Sequence, residues 1–178
     1  AAQVILRMAA ANGAARIIVG QNALLSTPAA SNLIRQRGTD GGLIMSASHN
    51  PGGPDADFGL KYNTPNGGPA PEGVTDLIFA RTKEITEYHI LESQDADLGR
   101  VGTTRMGAME IEVVDPVADY AALMARLFDF DAIRRLFAGG FTMRFDAMHA
   151  ITGPYATAIL EGALGAAPGT VVNGTPSP

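Results

Sequence analysis

The densest group of reactive side chains in the sequence lies in the run Ser46–Gly53, between a predicted strand and a Pro-Gly turn. Ser48 and His49 are adjacent there. A serine hydroxyl next to an imidazole is a candidate nucleophile with a proton-transfer group beside it, provided that the fold positions both. The alternative is a polar turn in which Ser48 and Asn50 bond to the backbone. On these residues alone, the polar turn is the favoured interpretation.

Lys61 is a second candidate, because it lies on a predicted strand with apolar neighbours, Phe58–Tyr62. It is either an outward-facing lysine at a sheet edge or a cation directed into the same cleft. In the cleft it would meet a phosphate or transfer a proton.

The remaining candidates have weaker support. Asp55 and Asp57 have the spacing of a metal-binding pair, but two loop carboxylates are more often simply solvated. His89 lies in a charged stretch and is expected at the surface, whereas His149 ends a predicted strand and is expected to orient a loop. Asn173 begins an Asn-Gly-Thr glycosylation pattern, which we interpret as a chance match.

Composition excludes several classes of protein. The 178 residues contain 13 Lys+Arg against 18 Asp+Glu and no cysteine, which rules out disulfide scaffolds, thiolate metal sites and a cysteine nucleophile. The net charge of −5, without a basic block, argues against nucleic acid or an anionic membrane as partner. No Walker A, dinucleotide-binding or HExxH pattern and no membrane-spanning apolar run occurs. These features favour a small-molecule protein, which we expect to be cytoplasmic.

The first part of the chain predicts elements that would position these residues. The pattern indicates a helix from Val4 to Asn12-Gly13 and a strand at Arg16–Gly20. Thr27 and Pro28 predict the cap and first position of a helix that ends at Gly38, followed by a strand at Gly41–Met45. This strand–helix–strand order predicts a parallel sheet with a crossover helix. The following loop, Ser46–Asp57, has a length typical of functional loops.

The second part predicts another unit. A helix begins near Glu72, residues 82–108 are expected to form only connecting structure, and Ile111 and Val113 alternate with glutamates as a strand. Asp115-Pro116 repeats the cap-plus-proline signal before a helix. Alternation over Phe141–Phe145 predicts a strand, followed by a helix at Pro154–Leu164 and a short strand at Thr170–Asn173.

At this point a resemblance adds to the pattern. The run Gly41–Pro54 resembles the phosphoserine loop of the α-D-phosphohexomutases, and Asp57–Asn63 and Asn66–Glu72 are similar to the glucose-type branch of that family. The resemblance covers essentially the whole chain. Five further segments are similar to the same family: Val19–Asn22, Leu25–Ala29, Phe128–Phe130, Arg144–His149 and Thr152–Tyr155.

The resemblance implies the fold and its division into domains. The expected class is α/β, with mixed, mostly parallel sheets and crossover helices. Residues 1–115 would form the family's first domain without its N-terminal part, and residues 116–178 the start of a second domain. The family's aspartate-rich metal loop, sugar-discriminating loop and C-terminal phosphate-binding domain do not occur in this sequence. We therefore expect the isolated chain to bind metal poorly and to be inactive by itself.

The resemblance also implies roles for the candidate residues. Ser48 would carry the transferable phosphoryl group and, through that phosphate, help to hold Mg²⁺; His49 would assist, and Lys61 would contact phosphate or transfer a proton. Glucose 1-phosphate and glucose 6-phosphate would be interconverted, with glucose 1,6-bisphosphate as intermediate and primer. Ser46 replaces the family's frequent threonine, and Ala23 its frequent glycine. The alternatives are a mutase for mannose or glucosamine phosphates, or a non-catalytic relative with a structural role.

Overall fold

The computed structural model describes residues 1–53 and 55–177; Pro54, the last residue of the loop resemblance, and Pro178 lie outside the described residues. The chain forms two compact units that alternate along the sequence. Residues 1–25 and 68–116 form unit 1, and residues 26–67 and 117–178 form unit 2. The division into family domains at residue 115 stays a prediction.

Unit 1 is built on a three-stranded mixed sheet. Strand β5 (Met109–Val114) lies between β1 (Arg16–Gly20), which runs parallel to it, and β4 (Gly102–Met106), which runs antiparallel. Helices α1 (Ala2–Ala11) and α3 (Glu72–Thr82) and a short 3-10 helix at Gln21–Ala23 also belong to the unit.

The core of unit 1 follows from the alternation along β5. Met109, Ile111 and Val113 are buried, and they pack with Leu6 of α1 and Met106 of β4. The intervening glutamates point the other way, where Arg16 forms ion pairs with both Glu110 and Glu112. The strand is therefore apolar on one face and ionic on the other, as its sequence predicts.

Unit 2 contains Ser48, His49 and Lys61, and all the weaker candidates except His89. Its helices are α2 (Thr27–Arg37), α4 (Ala118–Leu127), α5 (Phe130–Ala138) and α6 (Thr152–Ala156), the last continuing as a π-helix over Thr157–Ala163. Strands β2 (Gly42–Met45) and β3 (Leu60–Asn63) pair antiparallel, and β6 (Phe145–Asp146) and β7 (Val171–Val172) pair in parallel. The long loop Ser46–Asp57 therefore lies between two paired strands.

The α/β class and the mixed sheets are confirmed, and β6–α6–β7 is a parallel strand–helix–strand unit, as predicted. The sheets are not mostly parallel, because the four strand pairs divide evenly between the two directions in the part of the chain that the structure describes. The predicted parallel pairing across α2 is wrong. Strand β2 pairs with β3, and β1 pairs with β5 in the other unit.

Four local predictions are also corrected. Ser26, not Thr27, is the N-cap of α2, since its hydroxyl accepts the N–H of Ala29 at 3.3 Å. Helix α4 begins only at Ala118, after the Asp115-Pro116 signal. The predicted strand at Phe141–Phe145 begins only at its last residue, and β4 lies within the stretch expected to be connecting structure.

Within residues 1–53 and 55–177, no helix has the length and apolar character needed to cross a membrane.

Candidate active site

Ser48 lies in the loop after β2 with its backbone in the left-handed region, at φ 61°. Non-glycine residues seldom adopt this conformation, and they hold it only where the surroundings fix it. Here the hydroxyl oxygen of Ser46 accepts the N–H of Ser48 at 2.9 Å. This side-chain contact ties the strained residue to the end of the strand, and Ser48 itself stays exposed.

His49 is also left exposed beside Ser48. Its Nδ1 atom lies 3.4 Å from Oγ of Ser48, longer than an ordinary hydrogen bond. The imidazole is therefore close to the hydroxyl and is not locked against it. This geometry suits a group that assists a reaction at the hydroxyl as its surroundings change.

Lys61 lies on β3 opposite Ile44 of β2. The pairing of the two strands therefore places the lysine near the loop Ser46–Asp57, which we call the serine loop. The two strands come very close at the start of this pairing. Ser46 donates its N–H to the carbonyl of Gly59 at 2.9 Å. A Cβ atom at Gly59 would lie 2.4 Å from the carbonyl oxygen of Ser46, so this position has no room for a side chain.

The rest of the loop is closed by contacts across it. Nδ2 of Asn50 donates to Oδ2 of Asp57 at 2.7 Å, and the N–H of Asp57 donates to the carbonyl of Pro51 at 3.1 Å. Gly52 and Asp57 also form an isolated β-bridge. Asp57 thus has a partner within the loop, which the sequence interpretation of a metal-binding or solvated carboxylate did not foresee.

The three predicted residues line one cavity of about 540 Å³ within unit 2. Small-molecule sites usually have this size. The lining residues are Ser26, Thr27, Pro28, Ser46, Ser48, His49, Lys61, Tyr120, Ile151, Thr152 and Tyr155. The structure thus brings Ser48, His49 and Lys61 together, although their catalytic and binding roles stay predictions.

Sequence reasoning missed the tyrosine wall of this cavity. Tyr155 is buried, and its hydroxyl accepts the N–H of Ser26 at 3.0 Å. Tyr120 meets the Tyr155 ring edge-on, with the centroids 5.5 Å apart. A buried tyrosine needs a hydrogen-bond partner, but nothing in the sequence indicates that this partner lies 129 positions away.

His149 lies in a turn between β6 and α6, where Met148 and His149 both have positive φ. Its Nδ1–H donates to the carbonyl of Thr175 at 2.9 Å, and its N–H donates to the carbonyl of Asn173. These contacts support the predicted loop-orienting role. His89 is exposed, as predicted.

Asp146 anchors the same turn. Its Oδ1 accepts Nδ2 of Asn173 and the N–H of Met148, both at 2.9 Å. The hydrogen bond from Asn173, then that from Met148 and the nearby His149 ring, lower the pKa of Asp146, because they all favour the ionised carboxylate. The amide of Asn173 thus has an internal partner.

Mg²⁺ requires several oxygen ligands, commonly one or two carboxylates together with phosphate and water. Within residues 1–53 and 55–177, no group of three or more His, Asp or Glu residues could hold a metal ion. Asp55 and Asp57 thus do not belong to a larger ligand cluster within the described residues, which by themselves do not form a complete magnesium site.

Comparison with known proteins identifies the family to which the chain belongs. Residues 1–89 match the family model described as phosphoglucomutase/phosphomannomutase, alpha/beta/alpha domain I. The chain belongs to this family. Among its relatives, the phosphoglucomutase of Rhizobium radiobacter is 56% identical over 176 residues, which cover 99% of this chain and 32% of the relative. The chloroplastic phosphoglucomutase of Arabidopsis thaliana is 51% identical, over 99% of this chain and 28% of the relative.

A solved structure gives the same result. The open form of parafusin, an exocytosis-sensitive phosphoprotein (phosphoglucomutase) from Paramecium, matches with a TM-score of 0.92 and 41% identity. The match covers 98% of this chain and 34% of that protein. The chain therefore spans about a third of the length of the relatives it matches.

Proposed function

We propose that this chain contributes the phosphoryl-carrying serine loop of an enzyme that interconverts glucose 1-phosphate and glucose 6-phosphate. One observation carries the proposal: a single cavity is lined by a hydroxyl, an imidazole and an ammonium group, from Ser48, His49 and Lys61. Membership of the family, and relatives named phosphoglucomutase over 99% of the chain, support the same reaction.

The chemistry is the movement of one phosphoryl group to and from Ser48. In the first transfer the bond from phosphorus to Ser48 Oγ breaks while a bond to the 6-oxygen of glucose 1-phosphate forms. The sugar hydroxyl loses its proton, and the serine oxygen gains one. In the second transfer the 1-phosphate of glucose 1,6-bisphosphate moves to Ser48, and glucose 6-phosphate remains. Positioning and charge neutralisation account for most of the catalysis in such transfers.

His49 and Lys61 have the chemistry that these transfers need. The imidazole of His49 lies beside the hydroxyl whose oxygen is the leaving group, and so suits proton delivery to that oxygen. The ammonium of Lys61 either neutralises charge on the phosphate or exchanges a proton with the sugar. Lys61→Arg separates these two roles, since arginine keeps the charge but does not release a proton at neutral pH.

Three further predictions belong to the whole protein. Mg²⁺ dependence follows from the family, with the phosphate on Ser48 as one ligand; since the described residues contain no cluster of three or more His, Asp or Glu residues that could hold a metal ion, the other ligands would come from a part of the protein outside this chain. The division into a first domain over residues 1–115 and the start of a second over residues 116–178 is part of the proposal. So is a cytoplasmic location, although some relatives are named chloroplastic.

A chimera tests the proposal. This chain replaces the corresponding 176-residue segment of the Rhizobium radiobacter phosphoglucomutase, which supplies the other two thirds of a complete enzyme. With Mg²⁺ and glucose 1,6-bisphosphate, the chimera is expected to convert glucose 1-phosphate to glucose 6-phosphate, and Ser48→Ala is expected to abolish turnover. A well-folded chimera without turnover, or turnover that survives Ser48→Ala, contradicts the proposal.

Two controls separate the alternatives. Mannose 1-phosphate in the same assay tests the other sugar specificity, which the description of the family model includes. Phosphopeptide mass spectrometry after incubation with glucose 1,6-bisphosphate tests a structural role without turnover. Phosphate on Ser48 supports the enzyme, and an unmodified Ser48 supports the non-catalytic alternative.

A further inference from the structure

Asp57 closes the serine loop from its far end. Its carboxylate Oδ2 accepts Nδ2 of Asn50 at 2.7 Å, a short distance typical of hydrogen bonds to charged acceptors. Its backbone is attached to the same stretch through the N–H donated to Pro51 and the bridge to Gly52. Asp57 therefore holds both the side chain and the backbone of the segment that follows His49.

The segment that Asp57 holds is continuous with the turn around Ser48. Asn50 donates its own N–H to the carbonyl of Ala47 at 3.1 Å. Asn50 thus spans Ser48 and His49 with its main chain while its side chain reaches Asp57. We call the hydrogen bond between the side chains of Asn50 and Asp57 the Asn50–Asp57 bridge. The left-handed backbone of Ser48 is thus held by Ser46 before it and by Asn50, with this bridge, after it.

We propose that Asp57 is a positioning residue for phosphoryl transfer, acting through Asn50. The inference rests on the proposed function of Ser48. Asp57 sets the geometry of the loop and thereby the direction in which Ser48 Oγ faces the cavity. A displacement of about 1 Å in a reacting group lowers the rate on the order of 100-fold, so loss of the bridge acts on transfer more than on substrate binding.

Four variants test this role. Asp57→Ala removes the acceptor, whereas Asp57→Asn keeps an oxygen that accepts from Asn50. Asn50→Asp places two carboxylates against each other, and Asn50→Asp combined with Asp57→Asn restores a hydrogen bond with the donor reversed. Asp55→Ala is the matched control, since it removes the same charge from the same loop.

Hydrogen exchange of the 178-residue chain measures the bridge without any reaction. We expect the loop amides to exchange roughly tenfold faster in Asp57→Ala, which loses the acceptor, and less than about threefold faster in Asp57→Asn, which keeps a neutral hydrogen bond in place of the charge-assisted one. Equal exchange in Asp57→Ala and Asp55→Ala would overturn the proposal.

Steady-state kinetics of the chimera measure the consequence. Asp57→Ala is expected to lower kcat at least tenfold with KM changed less than threefold, while Asp55→Ala leaves both unchanged. The double variant is expected to recover most of the kcat lost in Asn50→Asp. A rise in KM alone, or no recovery in the double variant, contradicts the role. An inactive unsubstituted chimera contradicts the proposed function instead, and hydrogen exchange then decides for or against the bridge by itself.

Discussion

The hydroxyl oxygen of Ser46 accepts the main-chain N–H of Ser48 at 2.9 Å, so a side chain two positions upstream fixes the backbone of the proposed phosphate carrier. Without this contact, the φ of 61° at Ser48 loses a specific support. We therefore expect residue 46 to require a hydroxyl group. Threonine, which is frequent at this position in the α-D-phosphohexomutases, also has one.

We expect Ser46→Ala and Ser46→Thr to differ sharply. The alanine variant removes the acceptor for the Ser48 N–H and is expected to lower kcat of the chimera about fivefold, because one net hydrogen bond contributes about 1 kcal/mol. The threonine variant keeps the acceptor and is expected to stay within about twofold. Equal kcat values in the two variants would show that the hydroxyl of Ser46 does not position Ser48.

Gly59→Ala is expected to destabilise unit 2 by about 1–3 kcal/mol, because its new methyl group would overlap a backbone oxygen that cannot rotate away. Urea unfolding of the chain measures the loss. Gly73→Ala is the matched control, since a Cβ there meets nothing within 4 Å and alanine favours the helix. A Gly59→Ala variant as stable as Gly73→Ala would contradict the close approach to Ser46.

Lys61→Met is expected to lower kcat of the chimera roughly 100-fold or more, within the range that proton-transfer groups contribute. Lys61→Arg distinguishes the two roles proposed for the lysine. Arginine keeps the positive charge but does not release a proton at neutral pH. Recovery of turnover by arginine assigns the lysine to phosphate contact, and its failure assigns proton transfer. Unchanged turnover in Lys61→Met would remove the lysine from the site.

Asp146 is expected to make stability depend on acid. Its pKa is lowered in the folded chain, so its contribution is complete above the ordinary pKa of 3.8 and is lost as pH falls through the lower folded value. Urea midpoints of the unsubstituted chain and Asp146→Asn should therefore differ at pH 7 and converge as pH falls below about 4. A difference that stays constant down to pH 3 would show that Asn173 and Met148 do not stabilise the charge.

The sequence predicts the local elements well where one face is apolar. Alternation gives β5, and the helical spacing of Val4, Ile5 and Met8 gives α1, since both periods are local properties. The buried residue of α1 is nevertheless Leu6, and Val4 is exposed. The sequence does not predict which strands pair. Arg16–Gly20 and Gly42–Met45 lie on either side of one helix, yet they belong to different sheets, because tertiary packing decides the pairing.

The site shows the same division. Their residue types make Ser48, His49 and Lys61 candidates, but on those types alone a polar turn is favoured for Ser48, and only the resemblance to the phosphohexomutases selects the three residues. Ser26 and Tyr155 could not be selected, since their role in the cavity depends on a contact between distant segments. The charge of Asp57 makes it a candidate metal ligand in the sequence. Its hydrogen bond to Asn50 depends on a loop conformation that residue types do not specify.

The hydrogen bond from Ser26 to Tyr155 has a consequence for the order of folding. Residues 68–116, which belong to unit 1, are made after the serine loop and before the tyrosine wall. Closing so long a chain segment is slow and entropically costly. We therefore expect the serine loop to be synthesised well before Tyr120 and Tyr155 complete the cavity. The cavity is thus expected to form late, and the β2–β3 hairpin, whose strands are close in sequence, to form before it.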